Sequence, residues 1–227
     1  MIKNQKIKTR LNKGFSMVEM LVVLGIIGIM TVVVVFQYQR FNGLIFLNNT
    51  AYELATTIQQ SQVFGLAHRS VSGSGVGTKN RYGVYVNTEI DDRHYILFID
   101  RVWDLNDEFP NQTCDGKDGD GSCFPCVPGD ECFEKSNRMI RSVYIQSICV
   151  SLDNNPLEGN GDCTGNSTDA ATVTFQRPNP DALVYDVTNE NDDLSSVAFI
   201  LSNNVGNRRA VVVRSTGQIS VQNLPDL

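Results

Sequence analysis

One carboxylate, six cysteines and a short aspartate-glycine loop are the residues of this 227-residue chain whose types and spacing could do chemistry. The carboxylate is Glu19. It stands at the head of an apolar run: the twenty residues between Glu19 and Arg40 carry no charge, and Met20 to Phe36 is broken only by Gly25, Gly28 and Thr31. A charge at such a depth costs about 2.5–3.5 kcal/mol on insertion scales, so it calls for a partner or a function. Four cysteines cluster at Cys114, Cys123, Cys126 and Cys132, and two more stand at Cys149 and Cys163. Cys123-Phe124-Pro125-Cys126 has the spacing of a zinc knuckle. No second such pair exists, however, and His68 and His94 are remote in sequence, so structural disulfides are the expectation. The preferred pair is Cys149 with Cys163, closing the loop from Asp153 to Asp162. The pairing of the other four stays open, with reduced thiols as an option.

The loop Asp115-Gly116-Lys117-Asp118-Gly119-Asp120-Gly121-Ser122 offers hard oxygen ligands, the kind calcium takes, through Asp115, Asp118 and Asp120. The EF-hand template fails there: counted from Asp118, Cys123 occupies the glycine position and Gly129 the position of the bidentate glutamate. A solvated, turn-rich loop is the plainer reading. Asp153-Asn154-Asn155 with Asp162 is a weaker candidate of the same kind. Catalysis has no constellation to rest on. Two histidines, no nucleophile elbow, no P-loop and no dinucleotide fingerprint argue against an enzyme, and no cofactor beyond calcium is expected.

The elements that position these residues begin with the apolar run. As a helix, twenty residues rise about 30 Å, the thickness of a bilayer's hydrocarbon core. Before it stand Lys3, Lys6, Lys8, Arg10 and Lys13 with no acid, a bias that keeps the N-terminus cytoplasmic and sends the rest of the chain outside the inner membrane. No small-residue cleavage site follows the apolar core, and the break in character comes ahead of it, at Gly14-Phe15. The formal net charge is −6; losing the five basic residues of 1–14 takes it to −11. So acidic an outer domain argues against nucleic acid as a partner.

Beyond Arg40 the helical period continues. Phe41, Leu44, Ile45, Leu47, Tyr52, Ala55, Ile58, Val63, Leu66 and Ala67 recur at spacings of three and four. The spacing predicts one helix from Phe15 to Arg69, ended by the Gly/Ser stretch 70–77, with Asn42-Gly43 as a soft point where it bends or melts. His68, next to its end, would serve the last-turn carbonyls. From Arg81 the period becomes two. Residues 81–87 and 94–100 read as a hairpin; 141–150, 171–176, 196–201, 210–214 and 218–221 read as further strands, the last two joined at Ser215-Thr216-Gly217. The expected fold class is α+β, in three parts: a leader at 1–14, a spine helix at 15–72 with its transmembrane part at about 15–38, and an antiparallel sheet domain at 73–227 with a Cys-rich insertion at 104–138.

Gly14-Phe15-Ser16-Met17-Val18-Glu19 followed by Met20-Leu21-Val22-Val23-Leu24-Gly25 resembles the class III signal of type IV pilins and type II secretion pseudopilins. The resemblance implies cleavage after Gly14 by a prepilin peptidase, N-methylation of Phe15, and a pairing of Glu19 with the N-terminal amine of a neighbouring subunit. It covers about the first 45 residues. More loosely, the Tyr82-Gly83-Val84 strand after the helix, Thr174-Phe175 before Arg177-Pro178-Asn179-Pro180-Asp181, and the closing Val213-to-Ile219 hairpin resemble the H-type minor pseudopilins of type II secretion (GspH/FimT). The Cys-rich insertion departs from that pattern. Some pseudopilins hold calcium, which is a second motive for the Asp115–Asp120 candidate.

The implied partners are other pilin or pseudopilin subunits, the prepilin peptidase, an assembly platform protein and membrane lipid. The implied product is a filament outside the cell, serving secretion, attachment or DNA uptake. The reading from another class is a membrane-anchored extracellular binding domain with no filament. Glu19 with Phe15 separates the two, because a simple anchor needs neither.

Overall fold

A computed structural model describes residues 14–67, 81–100, 137–139, 142–176, 180–189 and 191–225. Among the described residues one α-helix, α1 (Met17–Ala67), precedes eleven strands: β1 (Arg81–Asn87), β2 (His94–Asp100), β3 (Asn137–Arg138), β4 (Val143–Ser151), β5 (Asn166–Thr168), β6 (Ala170–Phe175), β7 (Ala182–Asp186), β8 (Asn191–Leu194), β9 (Ser196–Asn203), β10 (Arg208–Arg214) and β11 (Ile219–Leu224). The chain divides into two compact units, up to Phe41 and from Asn42 onward. The class is α+β, as the change of period at Arg81 implies.

All strand pairs are antiparallel and fall into two sheets, ordered β3-β2-β1-β6-β7-β8 and β11-β10-β9-β4-β5. The 81–87 and 94–100 hairpin forms as expected. Its turn is built by side chains: Asn87 Oδ1 accepts from the Glu89 and Ile90 amides at 3.0 Å each, and Asp91 Oδ1 accepts from the Arg93 amide at 2.9 Å. The β10–β11 hairpin turns at Gly217, whose φ of 78° is open to glycine at no steric cost.

One core cluster gathers inward side chains of α1 and of both sheets. From α1 come Leu47, Ala51, Leu54, Ala55 and Ile58, a stripe at spacings of three and four. From the first sheet come Val84, Val86, Leu97, Val173 and Val184; from the second, Val143, Ile145, Ile148, Val150, Phe199 and Val211. The phase of β4 is kept by a bulge. Its register with β9 shifts between Ile145 and Ser147, which throws Gln146 outward and returns Ile148 and Val150 to the core.

Residues 42–67 of α1 are fastened to the sheets at three places. Arg209 Nε on β10 donates to Asn48 Oδ1 at 2.8 Å. Gln62 Nε2 donates to the carbonyls of Pro180 at 2.9 Å and Gly217 at 3.2 Å. At Gly65 the helix backbone comes so close to β6 that a Cβ would lie 2.6 Å from the Phe175 carbonyl oxygen. Between the helix and β2, Tyr95 sets its buried hydroxyl beside Thr57 and Glu53 without a hydrogen bond of good geometry. Burial pushes its pKa up to about 12, helped by the neighbouring Glu53 charge and opposed by the Thr57 hydroxyl.

Several expectations are corrected. α1 runs through Asn42-Gly43 without melting; Gly43 is a site of contact, with Asn203 Nδ2 3.2 Å from where its Cβ would be. Asn137–Arg138, assigned from sequence to the irregular insertion, pairs with β2 as β3. Strands β5, β7 and β8 were not expected. Asn-Ser-Thr of β5 and Asn-Asp-Asp-Leu of β8 carry no strand signal and are extended because β4 and β7 offer edges to pair with; Ala-Leu-Val-Tyr-Asp of β7 does alternate, and it pairs with β6. The expected helix end at 68–69, with His68, lies outside the described residues, as do residues 1–13 of the expected leader and most of the expected insertion.

Candidate functional site

The segment from Gly14 to Phe36 is the candidate site. Ser16 leads into α1, its carbonyl accepting the Met20 amide at 3.2 Å, and Glu19 lies in the first helical turn. A carboxylate there is favoured by the positive end of the helix dipole. Four consecutive valines, Val32 to Val35, have poor intrinsic helix propensity. In lipid that preference is overruled, because every backbone amide must be bonded within the segment.

No side chain between Phe15 and Phe36 is buried. Among the large apolar residues from Met17 to Phe36, exposure runs from 47% at Val23 to 92% at Met17. Each such side chain left in water forgoes about 1.5–3 kcal/mol of burial, so a helix bare on every face needs an apolar surrounding. The run has length and hydropathy enough to cross a membrane, with a mean hydropathy of 2.7 in its most apolar window. Membrane anchoring is what this segment fits.

Between Met17 and Phe36 there are two polar side chains, Glu19 and Thr31. Thr31 is satisfied within its own helix: Oγ1 donates to the Ile27 carbonyl at 2.8 Å. Among the described residues Glu19 has no hydrogen bond and no ion pair. It is therefore the one polar group of the run that an apolar surrounding would leave uncompensated.

Gly14 has nothing within 4 Å of where a Cβ would stand, and its backbone is not in the left-handed region. Neither packing nor conformation within the described chain asks for glycine there. Phe15, next along, is 81% exposed.

Cys149 and Cys163 form a disulfide, with 5.3 Å between their α-carbons. Cys114, Cys123, Cys126 and Cys132, and the calcium candidates Asp115, Asp118 and Asp120, lie outside the described residues. Asp153 and Asp162 are described. The Asp162 carboxylate accepts from Asn160 Nδ2 at 2.6 Å, and the Asp153 carbonyl accepts from Ser196 Oγ. Among the described residues no three His, Cys, Asp or Glu side chains converge as metal ligands would. His94 meets Asp91, Nδ1 to Oδ2 at 2.6 Å, in the β1–β2 turn.

Sequence reasoning passed over Asp186, a buried carboxylate. Its Oδ1 accepts from Thr168 Oγ1 at 2.5 Å and from the Thr188 and Asn189 amides at 3.0 and 3.1 Å; Oδ2 accepts from Asn189 Nδ2 at 2.7 Å. These four donors fill the carboxylate, which ties β7 of one sheet to β5 of the other. The signal was the alternation Ala182-Leu183-Val184-Tyr185-Asp186, hidden because its last inward position is an acid.

Residues 9–35 match the family model described as the prokaryotic N-terminal methylation motif. The matched span contains Gly14, Phe15 and Glu19 and most of the bare apolar run. It supports a protein of the type IV pilin class, processed as a prepilin. No curated protein matches the chain, and no solved structure matches it.

Proposed function

We propose that the chain is a pilin-like structural subunit, a pseudopilin or minor pilin, of a type IV pilus or a type II secretion-like filament. Prepilin peptidase cuts after Gly14, and Phe15 becomes the N-methylated first residue. The apolar segment of α1 holds the subunit in the inner membrane, with the leader cytoplasmic and the sheet unit outside, until a platform protein and an assembly ATPase extract it. The looser likenesses in the sheet region favour an H-type minor pseudopilin of type II secretion. The role is structural and not enzymatic.

The observation that carries this reading is Glu19. Between Met17 and Phe36 it is the one polar side chain without a partner among the described residues, four residues after Phe15. Cleavage at Gly14 creates an ammonium on Phe15. An ammonium and a carboxylate are both costly in an apolar surrounding, and pairing them between subunits removes two unmet charges together.

The test is N-terminal mass spectrometry of protein co-expressed with a prepilin peptidase. Expected is a chain beginning at N-methyl-Phe15, with Gly14→Ala leaving the leader attached. A chain beginning at Met1, with the peptidase active on a control pilin, overturns the reading.

A further inference from the structure

The disulfide lies away from the main core. Cys149 sits on the outer face of the second sheet, in a separate cluster with Leu157, Ala198, Ile200, Ala210, Val212 and Leu224, against which Cys163 packs. The cover on this face is the segment from Leu152 to Gly165, which leaves β4 and returns as β5. It is a small hairpin of its own. Leu157 and Cys163 form a β-bridge, the Glu158 amide donates to the Asp162 carbonyl at 2.8 Å, the Thr164 amide to the Pro156 carbonyl at 3.0 Å, and Thr164 Oγ1 to the Asn155 carbonyl at 2.6 Å. A hairpin this short is marginal on its own, so these internal bonds last only while the strap is seated on the sheet.

Its grip on the sheet is slight apart from the disulfide. Pro156, Leu157 and Gly161 are its buried residues; Leu152 to Asn155, Glu158 to Asn160 and Asp162 are exposed. The polar tethers are Arg208 to the Asn160 carbonyl at 3.2 Å, Arg214 to the Asn154 carbonyl at 2.8 Å, and Ser196 to the Asp153 carbonyl. One of these, Arg214 to Asn154, is exposed, and water replaces it readily. A few buried residues and three hydrogen bonds stand against the conformational entropy of fourteen ordered residues, so the covalent bond decides where the strap lies.

The same bond shapes a cleft. A polar cavity of about 300 Å³ is walled by Val150 to Asp153, which follow Cys149, and by Thr164 to Asn166, which follow Cys163. Its far wall includes Asp186 at the end of β7 and Asn189 in the turn that follows. Each near wall is the stretch of chain that immediately follows one of the two cysteines.

We propose that the Cys149–Cys163 bond is a redox latch. As the disulfide it holds the strap over the outer face of the second sheet and closes the cleft walls. As two thiols it releases the strap, uncovering Ala198, Ile200, Ala210 and Val212, while the inner core of α1 and both sheets stays folded. A dithiol drives the opening by exchange: its two sulfurs close to a disulfide, and their two electrons and two protons leave Cys149 and Cys163 as thiols. The latch thereby separates a subunit in a reducing compartment, with an open apolar face, from one matured on the oxidising side.

The test is amide hydrogen exchange on the full chain in detergent. Wild type is compared with a Cys149→Ser/Cys163→Ser variant kept under oxidising conditions, so that the other cysteines are unaffected, and with wild type in excess dithiothreitol. In the variant the amides of Glu158, Gly161 and Thr164 should exchange at least tenfold faster relative to the sheet than in wild type, and dithiothreitol should reproduce this. Val173, Phe199 and Val211 should keep their protection. Binding of 8-anilinonaphthalene-1-sulfonate should rise only in the opened forms, and Ile200→Asp added to the double variant should suppress that rise. Unchanged exchange at 158–164 without the bond would show that the tethers hold the strap unaided. Loss of protection through β9 and β10 would show a global staple. Either result overturns the latch.

Discussion

Gly65→Ala is the sharpest test of how α1 is seated. The new Cβ would stand 2.6 Å from the carbonyl oxygen of Phe175, 3.0 Å from its carbonyl carbon and 3.1 Å from its Cβ. Ordinary contact begins near 3.4 Å, so helix and strand must part by about 0.8 Å. Two of the three atoms struck are backbone, and β6 is held by β1 on one side and β7 on the other. The strand cannot yield without disturbing both ladders. Two effects oppose each other. Alanine is favoured over glycine inside a helix by about 0.8–1 kcal/mol, and overpacking at a site that cannot relax costs about 1–3 kcal/mol. The clash wins here, because the struck backbone cannot yield, for a net loss of up to about 2 kcal/mol, or up to about 8 °C in Tm for a unit of this size. Two other α1 glycines calibrate the scale. At Gly43 the atom struck is the side-chain amide of Asn203, 3.2 Å away, which can rotate aside, so Gly43→Ala should be near neutral. At Gly28 nothing lies within 4 Å, so Gly28→Ala should leave the Tm of the sheet unit unchanged or slightly raised. The assay is near-ultraviolet circular dichroism against temperature for the three variants in one detergent. If Gly65→Ala melts with Gly28→Ala, the close approach of helix and strand is wrong.

Glu19→Ala should insert in the membrane and be cleaved normally yet fail to enter filaments; Glu19→Gln should resemble it, and Glu19→Asp should fall between. Membrane fractionation beside sheared-filament recovery reads this, and normal filament yield from Glu19→Ala would remove Glu19 as an assembly contact. Non-reducing peptide mapping should find Cys149 joined to Cys163, and losing that bond should cost about 2–4 kcal/mol, since it closes a loop of fifteen residues. Tyr95 should ionise near pH 12, above the usual phenol value of 10. The folded state holds the proton after the unfolded state has lost it, so the stability Tyr95 confers is complete below pH 10 and lost as pH rises to about 12. Tyr95→Phe should remove that alkaline loss at little cost near neutral pH, because the hydroxyl it deletes has no well-formed bond; urea midpoints from pH 8 to 12 would show it, and an unchanged alkaline slope would count against it.

Much of the chain was legible without coordinates because the signals were local. The uncharged run after Glu19 acts through solvation of single side chains, which needs no knowledge of what packs where. The strands from Arg81, His94, Ala170, Ser196 and Arg208 carry β-branched and aromatic runs, and Cys149–Cys163 follows from two cysteines outside a cluster of four. What tertiary structure alone decided is of another kind. Nothing in Asn-Asp-Asp-Leu or Asn-Ser-Thr prefers extension; those residues are strands because a neighbour presents unpaired amides and carbonyls. The division into two sheets depends on pairing between strands far apart in sequence, such as β1 with β6 and β4 with β9. Gly65 is a close contact only because Phe175 lies against it, and Asp186 can be buried only because its four donors surround it. Those facts depend on what distant segments place beside a residue, and a linear pattern of hydropathy and charge holds no record of it.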